Sequence, residues 1–122
     1  MSRSLPAVLS TLAVIALLTP LAARAHAMLG RATPAPGSTV KPAPKEVVLS
    51  FTEKLEPKFS AIEVHDAKGA AVQAEKAQAG DSATQLRVAL KPLPPGTYKV
   101  IWRVLSVDTH RSNGSFTFRV GP

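Results

Sequence analysis

Apolar residues recur at every second position in five runs along the chain. In each run the apolar side chains would share one face, as in a strand that covers a core with one side of its sheet. After His26, no stretch has the three-to-four-residue spacing of an amphipathic helix. The alternating apolar positions are Val47, Leu49 and Phe51; Ile62 and Val64; Leu86, Val88 and Leu90; Tyr98, Val100, Trp102 and Val104; and Phe116, Phe118 and Val120. The pattern predicts an all-β domain with these residues in its core.

Turn-forming segments separate these runs. Residues 33–45 contain four prolines and a glycine, which favours a stiff, extended loop. Residues 66–70, the pair Gly80-Asp81, and residues 93–96 supply further turns. Short runs near residues 27–33 and 70–76 bring the expected number of strands to about seven. The spacing predicts one small antiparallel β-sandwich or β-barrel, with no repeats and no second domain.

The first 25 residues have the features of a signal peptide. Arg3 supplies a positive start, residues 7–18 form an uncharged apolar segment, and Ala23-Arg24-Ala25 is a small-x-small cleavage pattern. Cleavage after Ala25 would leave a domain of 97 residues (122 − 25), residues 26–122. We therefore expect an exported, periplasmic protein.

Two alternatives to cleavage after Ala25 follow from the same segment. Ala25-His26-Ala27 is also an A-x-A pattern, although Pro20 lies closer to the first cleavage site than to the second. Residues 5–23 are just long enough for an uncleaved membrane anchor, but they contain polar residues and a proline. The signal-peptide features favour removal, so no stable membrane insertion is expected afterwards.

Composition excludes several kinds of chemistry. The chain has no cysteine, so disulfides, zinc–thiolate sites and thiol catalysis are excluded. Its formal charge is +7; without Arg3 and Arg24 the remaining chain has 13 basic and 8 acidic residues, a charge of +5. The basic residues are spread without runs or interleaved aromatics, which argues against nucleic-acid binding and favours a solvated, mildly basic surface.

Three histidines carry the candidate chemistry: His26, His65 and His110. His65 alternates with Ile62 and Val64, so we expect it to face solvent as an ordinary polar residue. Asp108 and His110 lie two residues apart, and in an extended chain such side chains point the same way. This pair is compatible with a catalytic base, a salt bridge or two metal ligands. A nucleophile motif that would complete an acyl-transfer site is missing.

His26 has a special chemistry if it is the first residue of the mature chain. Its free amine and its imidazole could then chelate one metal ion. With nitrogen from His110 and oxygen from Asp108, the donors would be three nitrogens and one oxygen. Copper(II) leads the divalent ions in affinity for such a set, and zinc is its main competitor. Met28 could add at most a weak axial contact.

At these residues the chain resembles the CopC family of periplasmic copper-binding, copper-resistance proteins. The resemblance rests on "AHAML", "TPAPGSTV", "VVLSFTEKLEPKFSAIEV" and, most specifically, "LPPGTYKVIWRVLSVDTHRSNGSFTFRV". It implies a seven-stranded Greek-key, immunoglobulin-like barrel or sandwich. It also implies a copper(II) site formed by His26, Asp108 and His110. Some members hold copper(I) in a methionine-rich segment, whereas "FTEKLEPKFSAIEV" here has no methionine, so we expect copper(II) only.

The leading hypothesis is thus a non-enzymatic, monomeric copper(II) carrier or buffer that binds one ion per chain. Its expected partner is an inner-membrane copper transport protein. A second hypothesis is a histidine-brace copper oxidoreductase resembling polysaccharide monooxygenases. Against it, the chain is short, aromatic residues make up only 5% of it, and Asp108 would fill a position that oxygen chemistry needs. A third hypothesis is a metal-free module that binds a partner through a sheet edge.

Overall fold

The computed structural model describes residues 27–122, which form two packed four-stranded β-sheets. This part of the chain contains no α-helix; a 3-10 turn spans Pro57–Phe59. Within the described residues, no helix has the length and apolar character needed to cross a lipid bilayer. The strands are β1 (Leu29–Thr33), β2 (Thr39–Val40), β3 (Glu46–Phe51), β4 (Ala61–His65), β5 (Gln78–Ala79), β6 (Gln85–Ala89), β7 (Gly96–Leu105) and β8 (Arg111–Val120).

The two sheets remain open at their edges, so the fold is a sandwich and not a barrel. The first sheet has the strand order β1-β3-β6-β5, and the second has the order β2-β8-β7-β4. Neighbouring strands are antiparallel except for β2 and β8, which run parallel. The predicted all-β class is confirmed, and the described residues contain eight strands where about seven were expected.

The core lies between the inward faces of the sheets, as the alternation predicts. The buried residues of the predicted runs come from both sheets, and Phe116 is only partly buried. The rings of Phe51 and Trp102 meet edge to face at 5.0 Å across the core, a favourable geometry for an aromatic pair. The buried members are Val47, Leu49, Phe51, Ile62, Val64, Leu86, Val88, Leu90, Tyr98, Val100, Trp102, Val104, Phe118 and Val120.

The proline-rich segment 33–45 is more ordered than its composition predicts. It contains β2, which pairs with the end of β8 through Thr39 and Val40. Proline has no N–H to donate, and this short strand occupies the proline-free stretch between the two proline pairs. The sequence pattern missed the strand because two residues are too few to show alternation.

The predicted strand near residues 70–76 is wrong. The N–H of Val72 donates to the carbonyl of Val64 in the second sheet at 2.8 Å, and that of Ala74 donates to Ala89 in the first sheet at 2.8 Å. The segment therefore crosses from one sheet to the other and cannot form a continuous ladder with either. The strand that follows it, β5, lies further along the chain.

Gly114 lies opposite Trp102 in the ladder between β7 and β8. A methyl group on Gly114 would lie 2.5 Å from Cζ2 and 2.8 Å from Cε2 of the indole. These distances are well inside van der Waals contact. The indole thus occupies the space that a side chain at position 114 would need.

We predict that Gly114→Ala destabilises the protein by about 1–3 kcal/mol, because the core would have to move around the displaced indole. Urea unfolding followed by Trp102 fluorescence measures the effect. Ser115→Ala, on the exposed side of the same strand, is the matched control and should change stability by less than about 0.5 kcal/mol. Equal stability of the two variants would contradict the steric explanation.

Candidate metal centre

A five-residue loop, Ser106 to His110, joins β7 to β8. The ladder between these strands is paired up to Leu105 and Arg111, so the loop begins where the pairing stops. Inside the loop the N–H of Ser106 donates to the carbonyl of His110 at 3.0 Å, and that of Thr109 donates to Ser106 at 2.9 Å. These bonds close the loop tightly on the end of a regular hairpin.

Asp108 and His110 lie side by side in this loop. Oδ1 of Asp108 is 3.3 Å from Nδ1 of His110, and the side chains are 48% and 44% exposed. The prediction that both side chains point to one place is therefore confirmed. Their exposure leaves the pair accessible to an ion from solvent.

Ser106 is the residue that holds this pair together, and the sequence analysis missed it. It is fully buried, and its hydroxyl donates to Oδ1 of Asp108. The hydroxyl oxygen of Ser106 in turn accepts a hydrogen bond from the N–H of His110 at 3.3 Å. Val100, Trp102 and Val104 point into the core at every second position, and Ser106 is the next residue in this series. A polar residue at a position expected to be buried was the feature of the sequence that could have identified it.

The electrostatics of the loop favour an ionised carboxylate. The hydrogen bond from Ser106 is the main reason why the pKa of Asp108 lies below its usual value. Desolvation acts in the opposite direction, and His110 adds a smaller lowering. The carboxyl of Asp108 therefore stays ionised, and can act as an oxygen ligand, at a lower pH than an ordinary aspartate.

Thr109, between the two candidate ligands, has a φ of +70°. A β-branched residue rarely adopts this left-handed conformation, because its side chain crowds its own backbone. Such strain persists where the surroundings fix the chain, as the hydrogen bonds on both sides of Thr109 do here. The β-branched residue is accommodated by the turn and does not separate Asp108 from His110.

The start of the described chain is fixed beside this loop. Ala27 is buried, and its carbonyl accepts a hydrogen bond from Oγ of Ser112 at 2.7 Å. The next residue, Met28, exchanges two hydrogen bonds with Thr52: its N–H donates to Oγ1 at 2.9 Å, and its carbonyl accepts the N–H at 3.0 Å. Ser112 is only two residues beyond His110, so the N-terminal segment and the loop share one end of the sandwich.

His26 itself lies outside the described residues. Of the three predicted ligands, the structure brings Asp108 and His110 together. Residues 27–122 contain no group of three or more His, Cys, Asp or Glu residues that could hold a metal. The predicted signal peptide, residues 1–25, and its cleavage site also lie outside the described part and stay predictions.

His65 belongs to a different part of the surface. Its Nε2 is 3.2 Å from Oε1 of Glu63, which also pairs with Arg103. Arg103 is the main cause of the lowered pKa of Glu63. His65 pairs with Lys99, six residues before the end of β7, or about 20 Å from the loop at about 3.3 Å per residue. The prediction of a polar, surface-facing His65 is confirmed.

A large groove in the described part of the chain lies away from Asp108 and His110. It has a volume of about 880 Å³ and lies between β4 with the 3-10 turn and residues 73–78. Neither Asp108 nor His110 lines it. The candidate ligands therefore lie on an open strand end and not in a substrate-sized cleft.

Comparison with known proteins places this fold and loop in a family. The CopC domain model matches residues 29–121. Copper resistance protein C of Pseudomonas syringae pv. tomato is 38% identical over 117 residues, 90% of this chain and 92% of that protein. CopC from Methylosinus trichosporium OB3b has a TM-score of 0.75 at 36% identity, covering 80% of this chain and 95% of that one.

A second structure, of PcoC, a methionine-rich copper resistance protein from Escherichia coli, gives a TM-score of 0.70 at 35% identity. It covers 78% of this chain and 98% of that one. The match of the family model to most of the chain agrees with both structures and with the predicted resemblance. The chain belongs to the CopC family.

Proposed function

We propose that this protein is a periplasmic copper(II) carrier or buffer acting in copper resistance or homeostasis. In this proposal one ion is bound by the amine and imidazole of His26, by Asp108 and by His110. The observation that carries it is the hydrogen bond between Ser112 and the carbonyl of Ala27. That bond joins the residue that follows His26 to the strand that begins just after His110.

Chain geometry supports a shared site. The carbonyl of Ala27 is bonded to Ser112, and consecutive Cα atoms are 3.8 Å apart, so the proposal requires His26 to reach only a short distance. His110 would approach from the same end of the sandwich, because only Arg111 separates it from Ser112. Two of the four proposed donors thus come from the chain start and two from the loop, without any rearrangement of the sheets.

The donor chemistry supports copper(II). Two imidazoles, an amine and a carboxylate are donors that a tetragonal copper(II) ion accepts, and copper(II) leads the divalent ions in affinity for them. Ser106 would orient the carboxylate in the way that outer hydrogen-bond partners commonly fix metal ligands. Zinc, which prefers a tetrahedral arrangement, is the ion against which selectivity has to be measured.

A soft copper(I) site is not part of the proposal. The relative PcoC is described as methionine-rich, whereas this chain has two methionines, of which Met1 belongs to the predicted signal peptide. Met28 is 59% exposed and lies at the same end of the sandwich as the Ser106–His110 loop. It supplies a single thioether. One such donor cannot replace the several soft ligands that copper(I) selects.

The proposed role is binding and transfer, without catalysis. The half-exposed ligand pair offers access to an acceptor, and the large groove lies elsewhere. The proposed acceptor is an inner-membrane copper transport protein, and the protein would act as a monomer without nucleic acid. Glycan cleavage or reductant-driven peroxide formation by the copper-loaded protein would instead support the oxidoreductase hypothesis.

The first prediction concerns the chain start. One glycine added ahead of His26 in the exported protein should weaken copper(II) binding by more than the roughly 10–100-fold typical of losing an outer-sphere partner. The reason is that the free amine moves away from the imidazole. Competition titration and the copper(II) absorption spectrum measure the effect, and one glycine added after Pro122 is the matched control.

Intact mass of the exported protein, with and without one equivalent of copper(II), determines its first residue and the stoichiometry in the same experiment. A mature chain that starts at Met28, or unchanged binding and absorption after the glycine extension, would contradict the proposed chelate.

The second prediction concerns Ser106. Ser106→Ala should lower copper(II) affinity by about 10–100-fold, because the carboxylate loses the hydrogen bond that orients it. The pKa of Asp108 should rise towards its usual value at the same time. NMR titration of the carboxyl follows the pKa, and Ser115→Ala is the matched control. A lower affinity with an unchanged Asp108 pKa would mean that the serine acts only through folding.

The third prediction concerns pH. Copper(II) affinity should fall as the solution is acidified from about pH 7 to about pH 5, since imidazole and amine donors bind a metal only after losing a proton. The lowered pKa of Asp108 keeps its carboxylate ionised throughout this range. Asp108→Asn should therefore bind more weakly at every pH with the same profile. A wild-type profile that is flat to about pH 4 would contradict the nitrogen donors.

A further inference from the structure

Most of the net positive charge on the strands lies on the outward face of the second sheet. Lys99 and Arg103 on β7, together with Arg111 and Arg119 on β8, are exposed on this side. The acidic residue among the outward positions of β4, β7 and β8 is Glu63, which pairs with Arg103. We call the four basic residues of β7 and β8 the basic face. With Glu63 included, the net charge of this surface is 4 − 1 = +3.

The outward strand positions of the first sheet carry a smaller net charge. On the outward positions of the first sheet, Arg31 and Arg87 are balanced in part by Glu46, a charge of 2 − 1 = +1. Arg87 lies 4.0 Å from Asp81 in the neighbouring turn. The register of β7 and β8 therefore places four of the 13 basic residues that follow residue 25 on one side of the sandwich.

The side chains that lie between the basic residues on β8 are polar and can donate hydrogen bonds. Asn113, Ser115 and Thr117 occupy the outward positions of β8 between Arg111 and Arg119, and all are exposed. The exposed large hydrophobic residues of the described chain, Met28, Phe59 and Val107, lie outside the strands. The outward apolar side chains of β7, Ile101 and Leu105, are half-buried, so this face lacks the large exposed hydrophobic residues that the centre of a protein interface usually has.

The basic face is long enough to contact several anionic groups at once. β7 and β8 pair along ten residues in register, which gives a hairpin about 30 Å long at about 3.3 Å per residue. The diagonal pairs Arg103 with Arg111 and Lys99 with Arg119 lie towards its two ends. Phosphate groups in a bilayer surface attract basic side chains that come within a Debye length of them.

We propose that the basic face adsorbs to an anionic phospholipid bilayer through the phosphodiester headgroups, with β7 and β8 parallel to the surface and no inserted segment. The loop that contains Asp108 and His110 then lies at headgroup level, where a membrane protein can reach it from the side. The adsorption needs no metal, so it stands or fails independently of the proposed copper site.

Sedimentation of the exported apoprotein with vesicles at low salt tests this proposal. The vesicles contain either phosphatidylcholine alone or phosphatidylcholine with phosphatidylglycerol, and intact mass first establishes that residues 1–25 have been removed. We expect binding only to the anionic vesicles, and its loss at high salt. Lys99→Gln with Arg119→Gln should lower the partition coefficient about 25-fold, at about fivefold per residue.

The matched control is Arg31→Gln with Arg87→Gln, which removes the same net charge from the opposite side. It should retain binding within about twofold, and thermal unfolding establishes that both double variants are folded. Equal losses in the two variants would overturn the proposal, because net charge alone would then explain binding. Failure of the wild type to bind anionic vesicles also overturns it. Retention by immobilised polyglutamate in that case would assign the face to an acidic protein instead.

Discussion

Ten consecutive residue pairs join β7 to β8. This ladder positions part of the core, the basic face and the loop that contains Asp108 and His110. Its inward residues, including Trp102 and Phe118, fill the core. Its outward residues form the basic face. Its closing loop presents Asp108 and His110. Because side chains alternate strictly between the faces of a strand, one register determines all three, and a shift by one residue would bury charges and expose the core.

The faces of the strands could be predicted from sequence because alternation directly reports which side is buried. Leu49, Val88 and Val100 are buried as expected. The same rule placed Asp108 and His110 together, since a single residue separates them. Membership of the CopC family agrees with the resemblance noted in the closing β7–β8 segment. The elements that alternation could not reveal are those held by neighbours distant in sequence, such as β2 and the crossing segment at residues 70–76.

Ser106 illustrates what the sequence contains but a search for ligands overlooks. It follows the inward-facing residues of β7 at the next alternate position, where an apolar residue is expected. A hydroxyl buried there needs hydrogen-bond partners inside the protein. The structure provides them in Asp108 and in the backbone of His110. His26 remains a prediction of a different kind, since it depends on proteolysis and on a residue outside the described part of the chain.

The anchoring of the Ser106–His110 loop affects how a bound copper ion would be released. The hydrogen bonds within the loop, and the ladder behind it, join protein groups to one another. A cation held at this tip would therefore depart by stepwise exchange of donor atoms with an incoming competitor, while the β-sheets keep their shape. Release speed would then be governed by how closely the competitor's own ligands can approach, and a bulky acceptor with recessed donors would exchange slowly.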